Sequence, residues 1–151
     1  MQTFSRSLPM MLYRTLDAVM PRFRSIFSKF GLTEQQWRVL RVLWEIDGVA
    51  LLDLADITRI PGPSLVGVID RLAKIGLVER RRSESDRRVV FVHATTEGQQ
   101  LEQKVQPEVA RAYNELQALA DPQAWDQLIS GMEGIIAACE KNDSQQEAVN
   151  Q

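Results

Sequence analysis

Residues 61–92 read PGPSLVGVIDRLAKIGLVERRRSESDRRVVFV, a predicted helix followed by a predicted hairpin. Pro63 suits the first turn of a helix and Gly76 suits its end, and apolar residues recur every three or four positions between them. The predicted buried stripe consists of Leu65, Val68, Ile69, Leu72 and Ile75. Two β-prone runs, LVERRR and RRVVFVHA, then flank the polar tract SESD, which is typical of a hairpin.

The residues before this stretch predict three further helices. Apolar residues keep helical spacing from Leu8 to Phe30, and Pro21 is expected to kink or break that helix. Thr33 and Gln36 make a capping box that starts a second helix, and the run LLDLADITRI predicts a short third one. A short helix joined by a tight turn to a helix with a polar outer face is a helix-turn-helix, and the hairpin after it makes a winged helix.

The residues after the hairpin predict two long helices and a tail. The first helix opens at TTEG and carries a coiled-coil-like apolar seam that Pro107 is expected to bend. The second starts near Asp121 and Pro122 and has one apolar face. We therefore expect a mainly α-helical chain with a small β-hairpin wing. The predicted division is a winged helix-turn-helix lobe over 31–95, flanking helices over 1–30 and 96–140, and a disordered tail over 141–151.

Charge is unevenly distributed along the chain. The formal net charge is −2, but the segment from Arg59 to His93 holds eight basic and four acidic residues, a balance of +4. Since the totals are 18 and 20, the rest of the chain holds 10 basic and 16 acidic residues. A basic segment within an acidic protein predicts an anionic partner that meets one surface only.

Several function classes lack the residue patterns that they require. No paired His or Cys nucleophile, His/Glu metal spacing or glycine-rich phosphate loop occurs, so we expect neither catalysis nor a metal or other cofactor. Cys139 is the only cysteine, which excludes an intrachain disulfide and fits a reducing cytoplasm, and its apolar helix face predicts a packing role. We expect His93 to be an ordinary hydrogen-bonding residue. No run of about 18 apolar residues predicts a membrane span.

The segment LADITRIPGPSLVGVIDRLAKIGLVERRRSESDRRVVFVHATTEG resembles the core of the MarR family of winged-helix transcription regulators. The shared marks are the run VIDRLAKIGLVERR and the Asp-x-Arg of Asp86 to Arg88, followed at the family spacing by TTEG. The flanking helices take part in the resemblance, so it covers nearly the whole chain. Two features depart from the pattern: Ala94, where members often carry a larger aliphatic residue, and the proline-rich turn IPGP.

The resemblance implies a homodimer that intertwines its N- and C-terminal helices and carries two winged lobes. The apolar seams of the first helix and of the last two helices favour a dimer independently, because they exceed what a small lobe could bury. A two-fold dimer would read a pseudo-palindromic site in double-stranded DNA, with half-sites roughly 10 bp apart.

DNA contacts are expected first on the second helix of the helix-turn-helix. Ser64 can donate to a phosphate or a base, and Gly67 lets the helix approach closely because it has no side chain. Arg71 either contacts DNA or pairs with Asp70 or another carboxylate. The candidate residues on this helix are Pro63, Ser64, Val66, Gly67, Arg71 and Lys74.

The wing supplies the second set of expected DNA contacts. Arg80 to Arg82 alternate across a strand, so at most two of them share a face and one should point back toward the protein. The resemblance implies that Asp86 orients Arg88 by a charge-assisted hydrogen bond. Either Arg87 or Arg88 then enters the minor groove, whose narrow form concentrates negative potential. The candidate residues on the wing are Arg80, Arg82, Asp86, Arg87 and Arg88.

Regulators of this family commonly release DNA when a small anionic aromatic molecule binds between the dimer helices and the winged lobe. The run QQWRVLRVLW places Trp37, Arg41 and Trp44 along one side of a helix, which suits an aromatic body between indoles and an acid on guanidinium. The alternative is that the tryptophans belong to the core and the arginines cover them. Arg38, one position over, and Arg14 on the first helix are further candidates.

The stretches SLPMMLYRTLDAVMPRFR and GLTEQQWRVLRVL also resemble the subgroup that controls the breakdown of hydroxyphenylacetate-type aromatic acids. The sequence therefore predicts a cytoplasmic, dimeric, sequence-specific DNA-binding regulator, a repressor that a small aromatic carboxylate releases from its operator. Two alternatives stay open. One is a winged-helix module whose basic hairpin docks on an acidic protein surface, and the other is an oxidant-sensing regulator that uses Cys139.

Overall fold

A computed structural model describes residues 4–149 and shows a mainly helical chain with one small sheet, which confirms the predicted fold class. Residues 1–3 and 150–151, which the sequence assigned to the first flanking helix and to the tail, lie outside the described part. None of the described helices is long and apolar enough to cross a bilayer. After a 3₁₀ turn at Phe4–Arg6, the elements are α1 (Leu8–Lys29), α2 (Glu34–Glu45), β1 (Val49–Ala50), α3 (Leu51–Thr58), α4 (Gly62–Lys74), β2 (Val78–Arg82), β3 (Val90–Ala94), α5 (Thr96–Gln117) and α6 (Pro122–Val149).

Local sequence signals set several helix ends. Thr33 Oγ1 accepts from the backbone amide of Gln36 at 3.2 Å, and Gln36 Oε1 accepts from the backbone amide of Thr33 at 2.8 Å. The predicted capping box therefore starts α2. Gly76 follows α4 with a φ of +76°, a conformation that glycine adopts readily. Pro21 was expected to kink or break α1, and the helix continues through it without a break; α5 likewise continues through Pro107. A proline removes one hydrogen bond of the ladder, and these 22-residue helices retain the rest.

The wing belongs to a three-stranded antiparallel sheet in the order β1-β3-β2. β2 and β3 form the predicted hairpin, in which Arg80 lies opposite Val92. β1 pairs with the other edge of β3, and the sequence did not predict it because two residues carry no alternation pattern. β3 starts at Val90, later than the run RRVVFVHA suggested, because Val89 donates to the Asp86 carbonyl at 2.9 Å and so belongs to the turn.

The chain divides into two compact units, of which the first ends at Ala110. The core of this first unit lies under the helix-turn-helix. Four of the five residues predicted for the buried stripe of α4 are fully buried. Ile75 was predicted wrongly and is 55% exposed, because α4 ends at Lys74 and the chain turns at Gly76, so helical spacing no longer applies. The fully buried residues of this core include Leu65, Val68, Ile69 and Leu72 of α4, Val39 and Leu40 of α2, Leu54 of α3 and Val92 of β3.

The second unit starts within α5 and contains all of α6. Asp121 Oδ1 accepts from the Ala124 amide at 3.0 Å, so α6 begins at the predicted Asp-Pro pair. Most of its predicted apolar face is exposed in the single chain, including Leu128 at 50%. The prediction of a disordered tail over 141–151 is corrected as far as Val149, where α6 ends. Glu, Lys, Gln and Ala favour a helix even where no apolar face exists.

Candidate nucleic-acid interface and effector residues

The connection from α3 to α4 determines where the recognition helix, α4, begins. Arg59 adopts the left-handed conformation with a φ of 53°, Ile60 is buried, and Pro61 precedes the first residue of α4. Pro63 lies in the first turn, as predicted. The proline-rich turn that departs from the family pattern therefore leads into an ordinary helix start. The outer face of α4 exposes Ser64, Val66, Asp70, Arg71 and Lys74, and Gly67 is half-buried.

Arg80 connects the wing to the outer face of the recognition helix. Its Nη1 lies 2.6 Å from Asp70 Oδ1, and its Nη2 donates to the Val66 carbonyl at 3.4 Å. Arg81, on the opposite face of the strand, pairs with Glu79. The structure thus has one arginine of the run pointing back to the protein, as predicted, and Asp70 pairs with Arg80 on the wing.

The turn at the tip of the wing is held by polar contacts of Asp86. Asp86 Oδ1 accepts from the backbone amide of Arg88 at 2.9 Å, and the Asp86 amide donates to Ser83 Oγ at 3.3 Å. The predicted hydrogen bond from the Arg88 guanidinium to the Asp86 carboxylate is not formed, because a short carboxylate two residues earlier accepts from the backbone amide instead. Asp86 fixes the turn and leaves the guanidinium of Arg88 exposed.

Five cations of α4 and the wing have no carboxylate partner within residues 4–149. All five are exposed, and the nearby carboxylates of Asp70 and Glu79 pair with Arg80 and Arg81 instead. An exposed cluster of one sign raises the local concentration of an oppositely charged ligand. The five are Arg71, Lys74, Arg82, Arg87 and Arg88, and they are called the unpaired cations below.

The two tryptophans of the predicted effector group contact each other. Trp37 stacks on Phe27 with ring centroids 4.7 Å apart and meets Trp44 edge to face at 5.4 Å. Trp44 Nε1 donates to the Gly98 carbonyl at 3.0 Å. Arg41 pairs with Glu45 of the same helix at 2.7 Å. Arg41 therefore does not lie between the two indoles as expected, because the indole rings contact each other and Arg41 pairs with Glu45.

The remaining predicted effector residues differ in their surroundings. Arg14 is exposed on α1, and no ion pair or hydrogen bond of its side chain occurs within residues 4–149. Arg38 is half-buried, and its Nη1 donates to the Thr58 carbonyl at the end of α3 at 3.1 Å. Its Nη2 lies 4.0 Å from Glu34 Oε1.

Two contacts fix the base of the wing. His93 was expected to form a hydrogen bond, but sequence reasoning identified neither its partner nor the second contact. His93 Nδ1 lies 3.1 Å from Asp47 Oδ1, which joins β3 to the turn before β1. Thr95 caps α5 by accepting from the Gly98 amide at 3.1 Å and also donates to the Gly76 carbonyl. The Thr-x-x-Gly spacing within TTEG was the available signal for the second contact, whereas nothing local predicts a pair 46 residues apart.

One cavity lies in the second unit, at the junction of α5 and α6. Its volume is about 440 Å³, and none of the predicted effector residues lines it. Its walls are formed by Gln117, Ala118, Ala120, Pro122, Trp125 and Asp126.

Comparison with known proteins agrees with this architecture. The model of the MarR family matches residues 32–90. The homoprotocatechuate degradative operon repressor of Escherichia coli is 36% identical over 131 residues, which make up 87% of this chain and 88% of the relative. Two solved structures, each 32% identical, superpose well. Transcriptional regulator PA4135 has a TM-score of 0.82 over 87% of this chain and 96% of its own. NadR in complex with 4-hydroxyphenylacetate has a TM-score of 0.77 over 89% of this chain and 96% of its own. The chain belongs to the MarR family.

Proposed function

We propose that this chain is a homodimeric transcription regulator that represses from an operator and leaves it when a small aromatic carboxylate binds. The observation that carries the proposal is the cluster of unpaired cations on α4 and the wing, in a protein whose net charge is −2. DNA phosphates are the partner that such a localised basic surface fits. We infer that the protein acts in the cytoplasm, on DNA beside its own gene, and that it is not an enzyme.

The proposed DNA complex assigns different tasks to α4 and the wing. α4 lies in the major groove, where Ser64 and Arg71 face base edges and Lys74 contacts phosphate. The wing follows the adjacent minor groove, into which Arg88 or its neighbour inserts. Arg80 positions the wing against α4, because its two bonds to that helix leave it little capacity for DNA.

Rows of exposed apolar side chains support the homodimer. Water is in contact with both rows in the single chain, and covering them with a second copy removes that unfavourable contact. A two-fold dimer places its two recognition helices roughly 10 bp apart along DNA, which requires a pseudo-palindromic operator. The rows consist of Leu8, Met11, Leu12, Tyr13 and Leu16 on α1, and of Leu128, Ile129, Ile135 and Ile136 on α6.

The proposed effector is an aromatic ring with a short acid side chain. One relative is named for homoprotocatechuate degradation, and a solved relative holds 4-hydroxyphenylacetate. The half-buried rings of Trp37 and Trp44 offer an apolar wall. Arg41 can exchange Glu45 for the acid at small cost, because both side chains are about half exposed and exposed pairs contribute about 0–1 kcal/mol. Arg38 and Arg14 complete the proposed group.

Fluorescence anisotropy on the promoter DNA beside the gene tests the proposal. We expect tight, steeply salt-dependent binding that random DNA of the same length does not match. Phenylacetic, 4-hydroxyphenylacetic, benzoic, cinnamic and indole-acetic acids are then added in turn, with 4-hydroxyphenylacetamide as the uncharged control. Release by an acid and not by the amide supports the effector class. Equal affinity for random DNA would contradict operator recognition and favour docking on another acidic surface.

A further inference from the structure

We infer that Arg38 couples the effector acid to the recognition helix, a role that rests on the proposed function. Arg38 lies in the middle of α2, and its Nη1 donates to the Thr58 carbonyl at 3.1 Å. Thr58 is the last residue of α3, and Arg59 after it is the left-handed residue that opens the connection to α4. The bond therefore links the proposed effector group to the turn that determines where α4 begins.

The Thr58 carbonyl has a strong need for this donor. Carbonyls in the last turn of a helix lack intrahelical partners and carry the negative end of the helix dipole. Thr58 is itself buried, and its hydroxyl donates to the Leu54 carbonyl at 2.6 Å, so the side chain cannot serve its own carbonyl. A charged guanidinium donates the missing hydrogen bond to the carbonyl, and its positive charge also interacts favourably with the negative end of the helix dipole.

The guanidinium of Arg38 is incompletely satisfied in this arrangement. Its Nε is buried and has no hydrogen-bond partner among the described residues. Its Nη2 lies 4.0 Å from Glu34 Oε1, which makes a loose ion pair. A carboxylate binds a guanidinium edge through two parallel N–H donors. The edge that contains Nε is buried, and the Nη1–Nη2 edge already uses Nη1 for Thr58. An acid that binds either edge with two donors therefore competes with the present position of the guanidinium, and the bond to Thr58 is the contact that it displaces.

Two alternative states follow from this competition. In one, Arg38 holds the end of α3 and the start of α4 stays in the geometry that reads DNA. In the other, Arg38 binds the acid through two donors and the turn loses its contact with α2. An acid that favours the second state weakens DNA binding, and DNA weakens acid binding by the same factor.

Arg41 provides a matched control within the same proposed group. It lies one turn further along α2 and pairs with Glu45 of its own helix at 2.7 Å. No hydrogen bond or ion pair joins its side chain to α3 within residues 4–149. Loss of Arg41 should weaken acid binding without disturbing the turn, whereas loss of Arg38 should do both.

The test compares the parent protein with Arg38→Met, Arg41→Met and Arg38→Lys. Operator affinity is measured by anisotropy with and without 4-hydroxyphenylacetate, and hydrogen exchange is followed over residues 59–64. Without acid, Arg38→Met should lose about threefold to tenfold in affinity and exchange faster over this segment, as expected for a lost charged hydrogen bond. Arg41→Met should lose less acid-free affinity than Arg38→Met, because Arg41 pairs with Glu45 of its own helix and not with the turn. With acid, both methionine variants should change affinity by less than about twofold. Arg38→Lys, which lacks Nε, should retain more acid-free affinity than Arg38→Met and still resist release.

Each failure has its own signature. If Arg38→Met matches the parent in acid-free affinity and exchange, Arg38 does not hold the turn. If it loses affinity but keeps the parent's response to acid, its role is structural and the coupling is wrong. If the acid does not release the parent, the proposed effector class fails together with the coupling, and the acid-free contrast between Arg38→Met and Arg41→Met still decides whether Arg38 holds the turn. Thermal melting verifies folding, and Arg38→Lys carries the test if Arg38→Met unfolds.

Discussion

Replacing Arg88 with alanine should weaken operator binding by about tenfold or more while leaving the protein as stable as the parent. The guanidinium of Arg88 is exposed and has no carboxylate partner within residues 4–149, so its removal breaks no intramolecular contact. Asp86 holds the turn through the Arg88 backbone amide, which alanine keeps. The whole loss should therefore come from the interface with DNA.

The expected change in the salt dependence of operator binding can be calculated. Loss of one phosphate contact lowers the slope of log affinity against log salt by about 0.9. Between about 50 and 200 mM salt, the ratio of parent to variant affinity should then shrink by about 3.5-fold. Anisotropy titrations of both proteins at several salt concentrations measure this ratio, and urea unfolding measures their stabilities.

A matched control uses another arginine of the same hairpin. Arg81 pairs with Glu79, so Arg81→Ala should change operator affinity by less than about twofold. Arg87→Ala shows which of the two tip residues inserts, since the inserted one gives the larger loss. An Arg88→Ala protein with the parent's affinity and salt slope, together with a full loss in Arg87→Ala, would move the insertion to Arg87. No loss in either variant would refute the wing assignment.

Three further predictions concern single positions. Asp86→Ala removes the acceptor for the Arg88 amide, so operator affinity should fall by about threefold to tenfold with less than about 1 kcal/mol lost in urea unfolding; an affinity equal to the parent's would count against a fixed turn. Gly98→Ala should cost about 1–3 kcal/mol in urea unfolding, because the added Cβ would collide with the Leu77 carbonyl; a stability equal to the parent's would contradict the close approach. Cys139→Ser should leave acid-induced release unchanged in the anisotropy assay, since Cys139 is not in the proposed effector group; loss of peroxide-induced release in this variant would support the oxidant-sensing alternative.

The parts of the fold that local chemistry determines were predictable from sequence. The capping box at Thr33, the proline in the first turn of α4 and the glycine after it each act within a few residues, and each is found in place. Two predictions depended on how far a helix extends. Pro21, expected to kink or break α1, did not break that 22-residue helix, and Ile75 lay one residue past the end of α4, whose buried stripe its spacing continued.

The sequence allowed the candidate residues to be assigned to helices and strands, but it did not predict their contacts. Sequence placed the basic residues on the correct helix and hairpin, because those elements have strong local signals. It could not show that Asp70 pairs with Arg80 of the wing, or that Arg38 reaches the end of α3. Both contacts join residues ten or more positions apart, where no local spacing rule identifies the partner.

Ion pairing divides the arginines of the hairpin between two physical tasks. Arg80 and Arg81 each meet a carboxylate, so their charges are largely cancelled in the free protein. The unpaired Arg82, Arg87 and Arg88 lie toward and at the tip, where water and salt are what reduce their mutual repulsion. Added salt should therefore relieve repulsion in the free wing while it weakens the attraction to phosphates. The same unpaired charges that are unfavourable in the free protein become favourable at DNA, because the phosphates supply the partners that, within residues 4–149, carboxylates give only to Arg80 and Arg81 in this run.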